Sequence, residues 1–190
     1  KKRSIRQGAR LIKEAFDWGV ANFDPKNFEE SFIKEVAERI CPEIHKGNPQ
    51  YRDVSVRITG ATHTPPYPYK VKTLEIPEFV TEMRKLLESD NSFDNLLAAI
   101  YSHLHIARIH PFVDGNGRTA RTIQDIILDK SNIPLPIIES GERATYYQFL
   151  DDAVNGWHDV RSNGERYPGI SEGEKRFYTF VAGKVNSSLD

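Results

Sequence analysis

The chain has 190 residues, and its 26 lysines and arginines are balanced by 27 aspartates and glutamates, for a formal net charge of −1. This balance excludes a protein that binds nucleic acid through bulk positive charge, and the single cysteine, Cys41, excludes an internal disulfide. The length suits one domain with a real core, and no apolar run is long enough to span a membrane.

Apolar residues at helical spacing predict the elements of the first half. One stripe predicts a helix over residues 5–21, and a second predicts a helix over residues 28–41 that Pro42 ends. Pro77 at a first helical position is expected to open another helix. Ser92 is expected to cap the helix after that, which runs directly into residues 110–121.

Residues 53–69 differ from this helical pattern. Val54, Val56 and Ile58 alternate with polar residues, which predicts a strand. A turn is expected at Gly60, and two successive prolines end the element before residue 67. The pattern predicts a β-hairpin, whose exposed edge could capture a partner segment by strand addition.

Three further segments are predicted after residue 131. Residues 133–138, interrupted by two prolines, are expected to form a buried connector. Residues 162–173 are rich in glycine and polar residues, which predicts a loop. Residues 174–185 have the spacing of a final amphipathic helix. The architecture predicted from the residues alone is α-helical with one inserted hairpin.

The most informative segment is residues 110–121, with the sequence HPFVDGNGRTAR. Gly115 and Gly117 permit a positive φ or a close approach of the backbone to a ligand. The apolar pattern resumes at Ile123, so this turn is expected at a helix N-terminus, where free N–H groups favour a phosphate.

Charged side chains in the same segment extend this interpretation. Arg118 and Arg121 share a helix face and oppose the helix dipole, which a sequence accepts more readily if an anion lies between them. Asp114 would repel a phosphate unless a cation such as Mg²⁺ lies between them. His110 supplies an imidazole, the side chain best suited to act as a general base on a hydroxyl.

The order HPFxDGNGRxxR resembles the signature loop of the Fic family, whose members mostly transfer AMP from ATP to hydroxyl side chains of target proteins. The resemblance implies an all-α Fic fold with a small inserted β-hairpin flap, in a single domain over residues 1–190. The flap would span about residues 53–69, the catalytic loop residues 110–117 and the motif helix about residues 117–131.

The resemblance also implies roles for individual residues. His110 would deprotonate the target hydroxyl, and Asp114 would hold Mg²⁺ on the phosphates of ATP. Arg118 and Arg121 would bind the phosphate tail, with Arg121 at the γ-phosphate. Three residues would form the phosphate cradle: Gly115, Asn116 and Gly117.

Residues 142–154 resemble the Fic helix that follows the motif helix and has a tyrosine near the nucleotide base. Tyr146 and Tyr147 are the two candidates, with Tyr147 assigned to the nucleotide. Stacking on adenine and packing in the core with a hydrogen-bonded hydroxyl both remain open for this pair.

Many Fic proteins carry an inhibitory helix with the pattern Ser/Thr-x-x-x-Glu-Gly/Asn, and this pattern is not found here. The nearest Glu-Gly, Glu172-Gly173, has Pro168 where Ser or Thr is needed. This leaves an uninhibited chain, an inhibitory segment outside this sequence, or an inhibitor on a separate antitoxin-like protein. The expected partners are ATP and a target protein docked on the flap, with no nucleic acid and no membrane.

Two alternatives to adenylylation stay open. One is removal of AMP, or transfer of another nucleotide or phosphate-linked group. The retained Gly117 favours AMP over phosphorylation. The other is a catalytically silent, nucleotide-sensing binding module, against which the intact His110, Asp114 and Arg121 argue. The expected location is the cytoplasm, or a host cell if the protein is a secreted effector.

Overall fold

The computed structural model describes residues 2–89, 91–163 and 169–188, with side chains from residue 5 onward. Nine α-helices are found in these ranges, which confirms the predicted all-α class: α1 Lys2–Asn22, α2 Glu30–Ile40, α3 Pro42–His45, α4 Pro68–Lys70, α5 Ile76–Leu87, α6 Ser92–Ile109, α7 Asn116–Lys130, α8 Arg143–Ser162 and α9 Glu172–Ser187. Two 3₁₀ turns, Pro25–Asn27 and Ser140–Glu142, and a π-helical turn, Val71–Glu75, complete the elements. None of the described helices has the length and apolar character needed to cross a membrane.

The chain divides into two compact units. The first comprises residues 1–56 and 66–133 and contains α1 to α7. The second comprises residues 57–65 and 134–190 and contains α8 and α9. The HPFVDGNGRTAR segment therefore lies entirely within the first unit.

In the first unit, α7 packs against α1, α2 and α6, and α5 packs against α6. A Cβ at Gly19 would lie 2.1 Å from Cδ1 of Ile126, so α1 approaches α7 this closely only because residue 19 has no side chain. Phe28, Phe79 and Phe112 are fully buried in this unit. The motif helix α7 is thus held on several sides by packed helices.

In the second unit, α8 packs against α9. Phe177 and Val181 of α9 and Val154 of α8 are buried. The side chain of Ser171 accepts a hydrogen bond from the Glu174 N–H, and the Glu174 carboxylate accepts one from the Ser171 N–H. The two bonds form a capping box at the start of α9.

The structure confirms one predicted helix start and corrects another. α5 begins at Ile76 and has Pro77 in its first turn, as predicted. Helical conformation begins at Pro68, nine residues before Pro77, and passes through the π-helical turn. The N–H of Ile76 bonds to the carbonyl of Val71, five residues back. Since Pro77 has no N–H to offer, a wider turn before it is a common accommodation. The cap of α6 is Asn91, whose side chain accepts from the Asp94 N–H, and not Ser92 as predicted.

The predicted burial of residues 133–138 is wrong. Residues 133–136 and 138 are only partly covered, and the side chain of Ile137 is 68% exposed. Pro134 and Pro136 keep this connector extended, and alternate side chains of an extended segment face opposite ways. The predicted loop of residues 162–173 is shorter than expected, because α8 includes Ser162 and α9 starts at Glu172; residues 164–168 of it, including Pro168, lie outside the described part.

The predicted β-hairpin at residues 53–69 is not observed, since no strand occurs there in the described chain. The turn at Gly60 is present, with φ +83° and a hydrogen bond from the Ala61 N–H to the Ile58 carbonyl. Side chains occupy the backbone groups that a strand ladder would use. Asp151 accepts from the N–H groups of Thr62 and His63, so these donors are not available to a facing strand.

Candidate active site

His110 lies where α6 ends. Its backbone is left-handed, with φ +51° and ψ +57°, and its N–H donates to the carbonyl of Ile106 at 2.9 Å. This conformation, which costs a residue with a Cβ about 1 kcal/mol or more, turns the chain out of the helix and into the loop. The ring Nδ1 is 3.4 Å from the Ala107 carbonyl oxygen, and the residue is half-buried.

The side chain of Asn116 holds the loop closed. Its Oδ1 accepts from the Phe112 N–H and its Nδ2 donates to the Phe112 carbonyl, both at 2.8 Å. Asn116 is 2% exposed and Phe112 is fully buried. The amide group of Asn116 is thus committed to the loop, and its backbone N–H is the part that could meet an anion.

Gly115 provides the turn between the loop and α7. Its φ is +81°, and a Cβ there would lie 2.7 Å from Sγ of Cys41, which is fully buried beneath it. Both the conformation and the close approach require glycine. The first helical bond of α7 runs from the Thr119 N–H to the Gly115 carbonyl at 2.8 Å. This leaves the N–H groups of residues 116–118 at the open end of the helix, as an anion site requires.

Asp114 and Arg118 flank this helix end. Asp114 Oδ1 accepts from the Gly115 N–H at 2.6 Å, while Oδ2 is 3.5 Å from Nη2 of Arg118. The side chain of Asp114 is 62% exposed and that of Arg118 32% exposed. Nη2 of Arg118 also lies 3.1 Å from Sγ of Cys41, and burial raises the pKa of this thiol.

These residues fit one kind of magnesium site, in which the protein supplies a single ligand. No group of three or more His, Cys, Asp or Glu side chains that could hold a metal occurs in the described residues. The exposed carboxylate of Asp114 could supply one ligand, with the others coming from phosphate oxygens and water, which is the usual way in which Mg²⁺ is held with a nucleotide. A site closed by protein ligands alone does not fit.

Arg121 lies one turn further along α7. Its Nη1 is 3.5 Å from the position that a Cβ of Gly117 would take. A separate chain of polar side chains joins α6 to α7: Nδ1 of His103 lies 2.8 Å from Oε1 of Gln124, whose Nε2 donates to Oδ1 of Asp125 at 3.2 Å. Burial lowers the pKa of His103 to about 4 and raises that of Asp125 to about 6.

These two pKa changes give stability opposite pH dependences. The pKa of His103 is about 4 in the folded chain and 6.5 ordinarily. As pH falls from 6.5 to 4, the unfolded chain takes up this proton before the folded chain does, so stability decreases. The pKa of Asp125 is about 6 in the folded chain and 3.8 ordinarily. As pH rises from 3.8 to 6, the unfolded chain loses this proton before the folded chain does, so stability decreases. Each effect is worth about 3 kcal/mol, and the two nearly cancel.

Replacing Asp125 with Asn should therefore expose the effect of His103. We expect the unfolding free energy of Asp125→Asn to fall by about 3 kcal/mol more than that of the wild type between pH 6.5 and pH 4. At pH 7 the variant should be at least as stable as the wild type, because a buried charge is gone. Urea unfolding over a pH series measures both. Asp129→Asn, an exposed change, is the control and should follow the wild type. If the unfolding free energy of Asp125→Asn depends on pH as that of the wild type or of Asp129→Asn does, this account is contradicted.

Arg52 belongs to this region, although the sequence analysis did not find it. Nε donates to the His110 carbonyl at 2.7 Å, Nη1 to Val54 at 3.0 Å, and Nη2 to Pro66 at 2.6 Å and Ile109 at 3.3 Å. Its own N–H donates to the Pro111 carbonyl at 2.9 Å. Arg52 is 3% exposed. No local pattern marks it, since its role depends on partners up to 58 residues away.

The tyrosine pair predicted near the nucleotide lies on α8 in the second unit. Tyr146 is 4% exposed and Tyr147 is 50% exposed, with ring centroids 4.9 Å apart. The rings of Tyr146 and Phe177 lie 6.4 Å apart, and together with its burial this favours packing in the core for Tyr146. Tyr147 has the exposed ring that stacking on a base requires, and its role stays a prediction.

The second unit contains a further polar cluster that the sequence did not indicate. Asp151 is 8% exposed and accepts from Oγ1 of Thr62 at 2.6 Å, and Nδ1 of His63 is 2.6 Å from its Oδ1. Burial raises the pKa of Asp151, but the hydrogen bonds from Thr62 and His63 outweigh it and hold the pKa below its ordinary value. Asp151 thereby fixes the turn that contains residues 57–65 onto α8.

Several known proteins are similar to this chain. The model of the Fic/DOC family matches residues 27–128, more than half of the chain and including the whole motif. The protein adenylyltransferase Fic of Drosophila grimshawi is 34% identical over 112 residues, 59% of this chain and 22% of that protein. The protein of the same name from Nematostella vectensis is 32% identical over 130 residues, 68% of this chain and 29% of that protein. The chain thus spans less than a third of these relatives.

Solved structures show the same fold. A Fic domain-containing signaling protein from Bacteroides thetaiotaomicron superposes with a TM-score of 0.72 at 21% identity, over 96% of this chain and 69% of that chain. Fic-1 of C. elegans, residues 134–508, gives a TM-score of 0.67 at 20% identity, over 96% of this chain and 48% of that chain. Together with the family match over the motif, these comparisons show that the chain belongs to the Fic/DOC family.

Proposed function

We propose that the chain transfers AMP from ATP to a Ser, Thr or Tyr hydroxyl of a target protein and releases pyrophosphate. The observation that supports this most is the end of α7, where a glycine turn opens three backbone N–H groups beside Asp114 and Arg118. Relatives named protein adenylyltransferase that share 32–34% identity over parts of the chain support the same activity.

The phosphates of ATP would lie on the N–H groups at the start of α7. Arg118 and Arg121 add positive charge on the same side, and a guanidinium can hold two phosphate oxygens at once. Mg²⁺ held by Asp114 would neutralise further phosphate charge. In phosphoryl transfer such positioning and charge neutralisation supply most of the acceleration.

His110 would act on the target. Its imidazole takes the proton of the target hydroxyl as the oxygen forms a bond to the α-phosphorus. The bond from that phosphorus to the bridging oxygen breaks, and pyrophosphate leaves with the electron pair. His110 then gives its proton to solvent. The clamp between Asn116 and Phe112 and the contact of Arg52 with the His110 carbonyl keep this geometry before ATP arrives.

Further parts of this proposal concern partners and place. Tyr147 stacks on the adenine, and the target docks on residues 53–69, now as an irregular segment and not as a hairpin edge. A separate protein acts as its inhibitor. The chain works in the cytoplasm, or in a host cell into which it is delivered. Each follows from the family resemblance.

Calorimetric titration with ATP tests the nucleotide part of the proposal. We expect the wild type to bind ATP more tightly with Mg²⁺ than without it, and Asp114→Asn to lose most of this difference, because the carboxylate that holds the cation is gone. Asp129→Asn, an exposed change near the end of α7, should behave as the wild type. An ATP affinity that is the same with and without Mg²⁺ would contradict the role of Asp114. A wild type that binds no ATP would contradict the proposed function.

A further inference from the structure

We infer that Cys41 is a positioning residue for Arg118. Its sulfur holds one nitrogen of the Arg118 guanidinium at the start of α7, so that the remaining N–H groups can meet the phosphates of ATP. Cys41 lies 69 residues before His110, outside the motif. The inference rests on the proposed function, which gives Arg118 its role in binding phosphate.

The contacts of the Arg118 side chain involve a single nitrogen. Nη2 donates to Sγ of Cys41 at 3.1 Å and lies 3.5 Å from Oδ2 of Asp114. A guanidinium has five N–H donors, of which Nη2 provides two. The other three, on Nε and Nη1, have no partner among the residues that the structure describes. Since the side chain is 32% exposed, these donors are available to an anion at the start of α7.

Cys41 lies at a fixed point of the backbone, where α2 meets α3. Its N–H donates to the Ala37 carbonyl at 2.9 Å, and its carbonyl accepts from the N–H groups of Ile44 at 3.0 Å and His45 at 3.2 Å. The residue is fully buried. A Cβ on Gly115 would lie 2.7 Å from Sγ, so the sulfur also lies directly against the glycine turn. One rigidly held side chain thus contacts both the turn and the arginine.

The two partners of Nη2 differ in charge. The side chain of Asp114 is 62% exposed, and a surface ion pair of this kind contributes little. In the proposed function this carboxylate holds Mg²⁺, which weakens its attraction for Arg118. The contact with Cys41 then remains. Burial raises the pKa of the Cys41 thiol and keeps it neutral, and a neutral acceptor directs the guanidinium without cancelling the positive charge that attracts a phosphate.

Arginine side-chain NMR on the ¹⁵N-labelled chain, without nucleotide, tests the positioning directly. The Nε–H signal of Arg118 is assigned by its loss in Arg118→Lys. We expect this group to be rigid in the wild type, and its order parameter to fall in Cys41→Ala to about 0.6 or below, as in flexible groups. Ile40→Val, a buried change against the same glycine turn, is the matched control and should keep the wild-type value. A mobile Arg118 in the wild type, or the same order parameter in Cys41→Ala and Ile40→Val, overturns the inference.

Nucleotide binding provides the second readout. We expect Cys41→Ala to weaken the binding of ATP with Mg²⁺ about fivefold, which corresponds to the net contribution of one hydrogen bond. Arg118→Ala should still bind ATP measurably, because Arg121 and the N–H groups of α7 remain. Adding Cys41→Ala to this variant should have no further effect, since the arginine through which the sulfur acts is gone. An unchanged affinity in Cys41→Ala, or a fivefold loss that persists without Arg118, overturns the inference.

The two readouts separate this inference from the proposed function. If Cys41 controls the mobility of Arg118 but the wild type binds no ATP, the positioning stands and the proposed function fails. If ATP binds and neither the mobility of Arg118 nor the affinity depends on Cys41, the proposed function stands and the inference fails.

Discussion

Replacing His110 with Ala is expected to reduce AMP transfer by about 10³-fold, within the range that a positioned general base contributes. ATP affinity should stay within about twofold of the wild type, because the base acts on the target hydroxyl and the phosphates lie on α7 and its arginines. The measurement is the initial rate of label incorporation into a target, together with calorimetric binding of ATP.

The backbone at residue 110 calls for a second variant. His110 has φ +51°, a conformation that Asn adopts more readily than Ala. His110→Asn therefore removes the imidazole with less strain, and it should be as inactive as His110→Ala. Substantial transfer by His110→Asn alone would mean that the turn matters and the base does not. Full activity of both variants would remove His110 from the mechanism.

Replacing Arg52 with Ala is expected to lower the unfolding free energy by about 4 kcal/mol, since a buried hydrogen-bond network is among the few features whose loss costs this much. The change leaves four carbonyl groups without their donor, including that of His110. Burial lowers the pKa of Arg52, yet a guanidinium stays charged at neutral pH. Chemical unfolding measures the loss.

Two further variants identify the cause. Arg52→Lys keeps the charge but has one nitrogen, which cannot span carbonyls on both sides as the forked guanidinium does, so about half of the loss should remain. Arg57→Ala removes a nearby exposed arginine and should change stability by less than about 0.5 kcal/mol. If Arg52→Ala unfolds as Arg57→Ala does, the network is not structural.

Local signals explain what the sequence could predict. Glycines followed by apolar residues at helical spacing predicted a helix N-terminus at this turn, and α7 begins at Asn116. Stripes of apolar residues likewise located α1 and α2, because one-sided burial of a helix leaves a periodic trace. The motif itself indicated the family, which the family match over residues 27–128 confirms.

The features that the sequence could not predict depend on partners far away along the chain. The alternation of residues 54–58 is typical of a strand, but Asp151, 89 residues after Thr62, takes backbone donors of the segment. The role of Arg52 depends on carbonyls at residues 54, 66, 109 and 110. The burial of Asp125 and its link to His103 through Gln124 depend on the packing of α6 against α7, which no local pattern shows.

The most direct test of the account is to incubate the chain with Mg²⁺, a cell lysate and ATP labelled at either the α- or the γ-phosphate. The account predicts label on a protein from the α position only, and its loss with His110→Ala. Label from the γ position would mean phosphorylation, and no label from either position would contradict AMP transfer.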